Sequence, residues 1–172
     1  MKTLLMLRHA KSSWKDTDLE DHDRPLNKRG KKTAPLMGKL IKDENLVPDL
    51  IISSTALRAK KTAEDVAKAS KYSGDVQLEP RLYLAGIHTM IRVLQEITSD
   101  TIDRVMLVGH NPGQEDLIRE LTDQDERFPT AALAQIELPI GRWSEMEVET
   151  EGKLVNLWRP KEIEPIEEYP EK

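Results

Sequence analysis

Lys2-Thr-Leu-Leu-Met-Leu-Arg-His-Ala-Lys11 is the stretch that sets the organisation of this chain. Its apolar run from Leu4 to Leu7 ends directly on Arg8 and His9. A short apolar run bounded by charge is typical of a buried strand, and in a parallel sheet the ligand crevice opens beyond the carboxyl ends of the strands. We therefore expect Arg8 and His9 to lie at such a crevice.

The same pattern occurs at two later places in the chain. The run Asp49-Leu-Ile-Ile-Ser53 is followed by Ser54-Thr-Ala-Leu-Arg58, which has the character of a helix start, and Arg104-Val-Met-Leu-Val-Gly109 ends on His110. If these three strands are parallel, their carboxyl ends meet at one edge of the sheet. Four side chains would then share that edge: Arg8, His9, Arg58 and His110. Two guanidinium groups and two imidazoles there favour an anionic substrate, with an imidazole as nucleophile.

The composition excludes several classes of protein. The 172 residues suit a single domain, and a formal net charge of -5 offers no broad cationic surface for nucleic acid. The chain has no cysteine, which excludes disulfides and thiolate metal sites and is compatible with a reducing compartment. No apolar run has the length of a signal peptide's apolar region or of a membrane span. We expect a cytoplasmic protein that does not contact membranes.

The remaining patterns predict an alternation of helices and strands. We expect helices over about 28–43, capped by Asn27, over 56–70, capped by Ser53 or Ser54, over 87–97, and from Pro112 onward. Further strands are expected over 76–78 and 133–138, with a terminal hairpin of 143–149 and 153–158. Helices between buried strands predict an α/β fold, a three-layer α/β/α sandwich with a mostly parallel central sheet and antiparallel edge additions. We expect one domain over 1–160, followed by a flexible acidic tail over 161–172.

The polar segment from Ala10 to Asp23 should form a loop over the crevice, where loops commonly carry function. Just after it, Arg24 precedes Pro25, which favours an extended backbone. Arg24 could then direct its guanidinium at a phosphate or lie on the surface. Arg58 falls in the first turn of its helix, where the helix dipole disfavours a cation, so a neighbouring anion is a better explanation than a surface role.

These residues resemble the histidine phosphatase superfamily. The resemblance lies in Arg8-His9-Ala10, in 53–59 together with Thr62, and in Gly109-His-Asn-Pro112. The first motif has Ala10 where the superfamily usually has glycine. The SixA-like phosphohistidine phosphatase branch is closest, because Lys11, the segment 21–26 and the segment 128–132 also match its pattern. The similarity extends from about Leu4 to about Leu138.

The resemblance implies a role for each matched residue. It implies that His9 attacks phosphorus, that a phosphohistidine intermediate forms, and that water then hydrolyses it. The implied catalytic residues are Arg8, His9, Asp21, Arg58 and His110, and the implied substrate-binding residues are Lys11, Arg24, Thr130 and Ala131. Asp21 is the candidate proton donor, with Glu79 as the alternative. No metal or other cofactor is expected, because the arginines supply the positive charge.

Three functions are compatible with this pattern. The first is removal of phosphate from phosphohistidine on a protein, possibly a histidine phosphotransfer domain. The second is a phosphomonoesterase for a small metabolite, since the phosphate-binding residues would be the same. The third is a non-catalytic phosphoprotein-binding module, which the presence of His9 disfavours because a binder needs no nucleophile. A chain without an inserted acid-bearing subdomain suits a labile P–N bond better than an alkoxide leaving group.

Overall fold

A six-stranded mixed sheet forms the centre of the computed structural model, which describes residues 1–163. The strands are β1 (Lys2–Arg8), β2 (Leu50–Ser53), β3 (Val76–Leu78), β4 (Arg104–Gly109), β5 (Leu133–Leu138) and β6 (Lys153–Trp158). Their order across the sheet is β3-β2-β4-β1-β5-β6. The first four strands in this order run parallel, and β5 and β6 add antiparallel at the β1 side. The predicted α/β sheet is confirmed.

Helices cover both faces of this sheet. They are α1 (Lys28–Asp43), α2 (Leu57–Ser70), α3 (Ile87–Gln95), α4 (Gly113–Thr122) and the short α5 (Pro160–Ile163). On β1, Leu5 and Leu7 pack into the apolar cluster that contains the buried residues of α1 and α2. Leu4 and Met6 point the other way, into the cluster that contains those of α3 and α4. Both faces of β1 are therefore buried, which explains its unbroken apolar run.

The parallel strands place their carboxyl ends in register. Arg8 of β1 is paired with Gly109 of β4, and Ser53 of β2 with Val108. The ladder continues one residue further, since the His9 amide donates to the Gly109 carbonyl at 3.0 Å and the Ser54 amide to the Val108 carbonyl at 2.9 Å. The residues after the strands are thus fixed by sheet hydrogen bonds, although they belong to loops.

The α1 helix begins close to the end of β1. The Asn27 side chain accepts a hydrogen bond from the Gly30 amide at 2.8 Å, which confirms the predicted cap. A Cβ atom on Gly30 would lie 2.1 Å from the Lys11 carbonyl oxygen, so only glycine allows this approach. The start of α1 thereby supports the loop that follows His9.

Four local predictions are wrong: a cap, a helix start, a strand, and the end of α3, which lies at Gln95 and not at 97. Neither Ser53 nor Ser54 caps α2, because the residue before that helix is Ala56 and its amide is bound by the Ser54 hydroxyl at 3.2 Å. Helix α4 begins at Gly113, one residue after the predicted Pro112. The segment 143–149 forms no strand: a 3-10 turn starts at Trp143, whose buried indole donates to the Ile102 carbonyl at 2.7 Å. Strand β6 pairs instead with β5.

The predicted flexible tail, 161–172, falls mostly outside the described residues. Its first three residues, 161–163, belong to α5. Within the described part of the chain, no helix combines the length and the apolar character needed to cross a membrane.

Candidate active site

A cavity of about 430 Å³ opens where β1, β2 and β4 end. Its lining brings together most of the residues that the sequence singled out: Arg8, His9, Lys11, Arg24, Arg58, His110 and Thr130. Asp21 and Ala131 are not among the lining residues. We call Arg8, His9, Arg58 and His110 the strand-edge cluster. Its convergence at one edge of the sheet is as expected from parallel strands.

The His9 imidazole is held in one tautomer. Its Nδ1 lies 2.7 Å from the Ala10 carbonyl oxygen, which can only accept, so Nδ1 carries the proton. Burial, opposed in part by this hydrogen bond, and the nearby charges of Arg58, Arg8 and Arg24 lower the pKa of His9 to about 4. The ring is therefore neutral near pH 7, and the lone pair on Nε2 is available for attack.

The backbone that carries His9 is fixed by Thr62. The Thr62 hydroxyl accepts from the Ala10 amide at 2.9 Å and donates to the Arg58 carbonyl at 2.7 Å. One side chain of α2 thus connects the residue after the candidate nucleophile with the residue that carries a candidate phosphate ligand. Ala10 is fully buried, so its methyl group fits where the superfamily usually has glycine.

His110 lies beside His9, with their ring centroids 5.2 Å apart. Its Nε2 contacts the Ser54 hydroxyl at 2.8 Å, and its buried Nδ1 has no hydrogen-bond partner. Burial, followed by the proximity of His9 and Arg58, lowers the pKa of His110 to about 3. His110 is therefore neutral near pH 7. An incoming anion would raise its pKa again.

The two arginines of the cluster, the buried Arg58 and the half-buried Arg8, are incompletely paired. Arg8 donates from Nη1 to the Phe128 carbonyl at 3.2 Å, and Arg58 from Nη1 to the Asp21 carbonyl at 2.7 Å. The Nε atoms of both arginines are buried without a partner. In the described part of the chain, five buried side-chain atoms lack a partner, and three belong to the strand-edge cluster. Such groups are rare in native proteins, and their concentration in one place is typical of a functional site.

Asp21 accepts hydrogen bonds from three side chains at the edge of this cavity. The Tyr83 hydroxyl donates to it, as do Arg58 Nη2 at 3.0 Å and Arg24 Nε at 3.1 Å. The Tyr83 hydrogen bond and the two arginines hold the pKa of the carboxyl far below its usual range. Asp21 is therefore ionised and has no proton to give. This geometry favours a carboxylate that orients Arg24 and Arg58 over the expected proton donor.

Glu79, the alternative donor, lies in another cavity. Its carboxylate accepts from the Arg81 amide at 3.0 Å and from the Arg81 guanidinium at 2.9 Å. These hydrogen bonds lower the pKa of Glu79. Glu79 thus caps the 3-10 turn after β3. The cavity at the strand-edge cluster has no carboxylate among its lining residues.

Arg24 lies under the loop that follows β1, and the guanidinium is mostly buried. Its Nη1 donates to the Ser12 hydroxyl at 2.6 Å, and its guanidinium carbon lies 3.5 Å from the centre of the Trp14 ring. Of the two roles left open by the sequence, exposure on the surface is excluded. Arg24 adds a third guanidinium to the cavity wall.

Lys11 and Thr130 line the cavity, whereas Ala131 does not. The Ala131 amide donates to the carbonyls of Arg8 at 3.1 Å and His9 at 3.0 Å, and its side chain is buried. Its φ of 61° lies in the left-handed region. Substrate binding by Ala131, as implied by the resemblance, therefore has no support in this geometry. Ala131 holds the end of β1.

The sequence did not single out three polar residues that support the cluster. Tyr83 binds Asp21 and packs edge-on against His110, with ring centroids 5.5 Å apart. Asn111 donates to Glu115 at 2.8 Å and to the Phe128 carbonyl at 2.8 Å. The i,i+4 spacing of Asn111 and Glu115 is a signal that could have found this pair. The contact between Tyr83 and Asp21 joins residues 62 apart and has no local signal.

The model of the histidine phosphatase superfamily (branch 1) matches residues 4–83. An uncharacterized protein of Mycobacterium tuberculosis is 30% identical over 152 residues, which cover 82% of this chain and 92% of that protein. Phosphohistidine phosphatase SixA of Escherichia coli is 26% identical over 121 residues, covering 69% of this chain and 75% of SixA.

Solved structures show the same relationship. A putative phosphohistidine phosphatase SixA from Agrobacterium tumefaciens superimposes with a TM-score of 0.79 at 29% identity, covering 92% of this chain and 98% of that one. The similarity thus extends over most of the chain. The chain belongs to the histidine phosphatase superfamily and is SixA-like.

Proposed function

We propose that this protein hydrolyses phosphohistidine on another protein, with His9 as nucleophile. Membership of the superfamily supports phosphatase activity in general. The observation that carries the finer proposal is the His9 imidazole, which is neutral, fixed through Nδ1 and placed beside the buried Arg58 and the half-buried Arg8. A neutral imidazole held by a carbonyl has the protonation and the orientation that nucleophilic attack requires. We expect the activity in the cytoplasm.

The reaction has two steps. In the first, His9 Nε2 forms a bond to phosphorus while the bond between phosphorus and the substrate nitrogen breaks, and the substrate ring, protonated on its other nitrogen, leaves as neutral imidazole with the electron pair. In the second, water attacks phosphorus, the bond to His9 Nε2 breaks, and inorganic phosphate is released. Arg8 and Arg58 would neutralise the charge on the non-bridging oxygens in both steps. Catalysis by positioned guanidinium groups of this kind requires no metal.

The absence of an acid in the cavity lining favours a P–N substrate. The described lining includes three arginines and two histidines but no aspartate or glutamate. An alkoxide leaves with difficulty unless a positioned acid protonates it. A phosphohistidine ring that is protonated on its other nitrogen leaves as neutral imidazole, which is much less basic, with a conjugate-acid pKa of about 6.5. The site is thus better suited to phosphohistidine than to an unactivated phosphate ester.

The cavity size favours one alternative, a phosphomonoesterase for a small metabolite. At about 430 Å³, the cavity has the volume of an ordinary small-molecule site. The same arginines would bind the phosphate, but the reaction would require a proton source that the lining lacks. A non-catalytic binding module would retain the arginines and have no use for the fixed tautomer of His9.

Phosphate release by purified wild-type protein and by His9→Ala distinguishes these functions. The substrates are a histidine-phosphorylated phosphotransfer domain, free phosphohistidine and a panel of small phosphate esters. We expect release from the phosphohistidine substrates, with loss of at least about a thousandfold in His9→Ala. His88→Ala is the matched control, because His88 is an exposed histidine of α3 outside the cavity lining. Release from esters alone, or equal activity of the two variants, would contradict the proposal.

A further inference from the structure

Two exposed apolar side chains line the cavity next to its arginines. Trp14 is 72% exposed and Leu84 is 56% exposed. Apart from the terminal Met1, they are the most exposed large apolar side chains in residues 1–163. Scattered apolar side chains on a surface need no explanation, but apolar groups gathered at a cavity mark an interaction site. We call Trp14 and Leu84 the apolar rim.

The structure holds both members of the apolar rim in place. Trp14 stacks on the guanidinium of Arg24, which is itself anchored by Ser12 and Asp21. Leu84 has a φ of 51°, in the left-handed region that residues other than glycine seldom adopt. Backbone strain of this kind persists only where the surroundings impose it, and it is concentrated at functional positions.

The turn that carries Leu84 is held against α4. A Cβ atom on Gly113 would lie 1.9 Å from the Ala85 carbonyl oxygen, so glycine at the start of α4 allows the turn to approach. The Ala85 amide also donates to the Leu82 carbonyl at 3.3 Å. Leu84 is therefore presented to solvent by a packed turn.

The charges around the cavity indicate which kind of partner segment would bind there. Lys11 and Lys15 line the cavity and are exposed, and the described lining has no carboxylate to oppose them. A segment that carries apolar side chains together with acidic ones would match the apolar rim and these lysines. A small phosphate ester has no apolar part for Trp14 and Leu84 to bind.

We propose that Trp14 and Leu84 bind the polypeptide around the phosphorylated side chain of a partner protein and thereby determine which phosphoproteins are substrates. This inference depends on the proposed function. The partner segment is one with apolar residues beside its phosphohistidine and acidic residues nearby. The strand-edge cluster would bind the phosphoryl group, while the apolar rim would bind the neighbouring side chains.

The test compares three substrates that contain the same P–N bond. They are free phosphohistidine, a short phosphohistidine peptide with leucine and aspartate neighbours, and the same peptide with serine in place of leucine. For the wild-type protein we expect kcat/KM for the leucine peptide to exceed that for the serine peptide by at least about tenfold, the effect of one good apolar anchor. Trp14→Ala and Leu84→Ala should each reduce this ratio severalfold.

Leu78→Ala is the control, because Leu78 is exposed to 41% on strand β3 and does not line the cavity. It should keep the ratio of the wild type. The inference would be overturned if the wild type had equal kcat/KM for the two peptides, or if the preference for the leucine peptide survived in both rim variants. In either case, hydrolysis of free phosphohistidine would leave the proposed function intact. If the protein hydrolyses none of the three substrates, both this inference and the proposed function are overturned. Thermal unfolding of each variant checks that it is folded.

Discussion

The strand-edge cluster and the apolar rim line the same cavity but are built in different ways. In the cluster, His9, Arg58 and His110 are 6%, 3% and 4% exposed, and the sheet hydrogen bonds continue into His9 and into Ser54, which precedes Arg58 by four residues. Trp14 and Leu84 are mostly exposed and belong to connecting segments. The sheet thus fixes the groups proposed to react, while loops carry the groups proposed to select the substrate. Loops can change in evolution without moving the sheet, so these two properties can vary independently.

Arg58→Lys should give the largest effect on the cluster side. Lysine keeps the charge but cannot reproduce the paired contacts that Arg58 makes with Asp21 or bind phosphate oxygens bidentately. We expect kcat/KM for free phosphohistidine to fall by about a hundred- to a thousandfold. Arg81→Lys is the matched control, since Arg81 pairs with Glu79 and Glu96 outside this cavity. Equal activity of Arg58→Lys and Arg81→Lys would mean that a positive charge at position 58 is sufficient for activity.

Buried neutral histidines should make the folded state sensitive to acid. The native pKa of His9 is about 4, against 6.5 for an ordinary histidine. Between these values the unfolded chain binds a proton that the native protein does not, so the free energy of unfolding falls as pH decreases. We expect a decrease attributable to His9 of about 1–3 kcal/mol across this window. Urea unfolding at several pH values should show a shallower dependence for His9→Gln than for the wild type.

Histidines outside the cluster provide the comparison for that measurement. His88→Gln should retain the steep pH dependence of the wild type, because His88 is exposed on α3. Identical pH profiles for His9→Gln and the wild type would show that His9 is not held neutral by burial. The cluster would then lack the property that makes His9 a nucleophile.

Asp21→Asn tests a residue that contacts the cluster directly at Arg58 and the apolar rim only through Arg24, on which Trp14 stacks. The amide keeps the size of the side chain and removes the charge that faces Arg58 and Arg24. Loss of a charge-assisted hydrogen bond should lower kcat/KM by about tenfold. Because Asp21 acts here by positioning, the shape of the kcat profile against pH should stay the same. Loss of a titration step in the variant would restore Asp21 as proton donor.

Trp14→Ala should have the smallest effect on stability. The indole is 72% exposed, and its main contact is the stack on Arg24. A cation–π contact at an exposed site contributes about 0.5–1 kcal/mol, so the free energy of unfolding should fall by no more than this. Phe128→Ala, which removes a fully buried ring, should cost about 3–5 kcal/mol. Similar losses of stability for Trp14→Ala and Phe128→Ala would mean that Trp14 packs in the core and is not an exposed residue of the apolar rim.

The cluster could be predicted from the sequence because its position follows from strand periodicity. Continuous apolar runs identify buried parallel strands, and the next residue in each case then falls at the common edge. This reasoning found β1, β2 and β4 and brought His9, Arg58 and His110 together. It depends on local pattern and on one topological rule, so it needed no knowledge of tertiary contacts.

The features that were missed depend on contacts between distant parts of the chain. Nothing near Asp21 indicates that Tyr83 would donate to it, yet that hydrogen bond is the first cause of its lowered pKa. The segment from Trp143 has the composition of a strand, but burial of its indole against Ile102 favours a 3-10 turn. The exposure of Trp14 was likewise not apparent, since an isolated tryptophan in a polar loop is equally compatible with burial.

Trapping the phosphoryl group on the protein tests the central claim most directly. The wild type is mixed with radioactively labelled phosphohistidine, quenched under alkaline conditions within one turnover, digested and examined by mass spectrometry. We predict phosphate on His9 alone, bound through Nε2 because Nδ1 is occupied by its hydrogen bond to Ala10. Turnover without any label on His9, or label on another side chain of an active protein, would contradict the account.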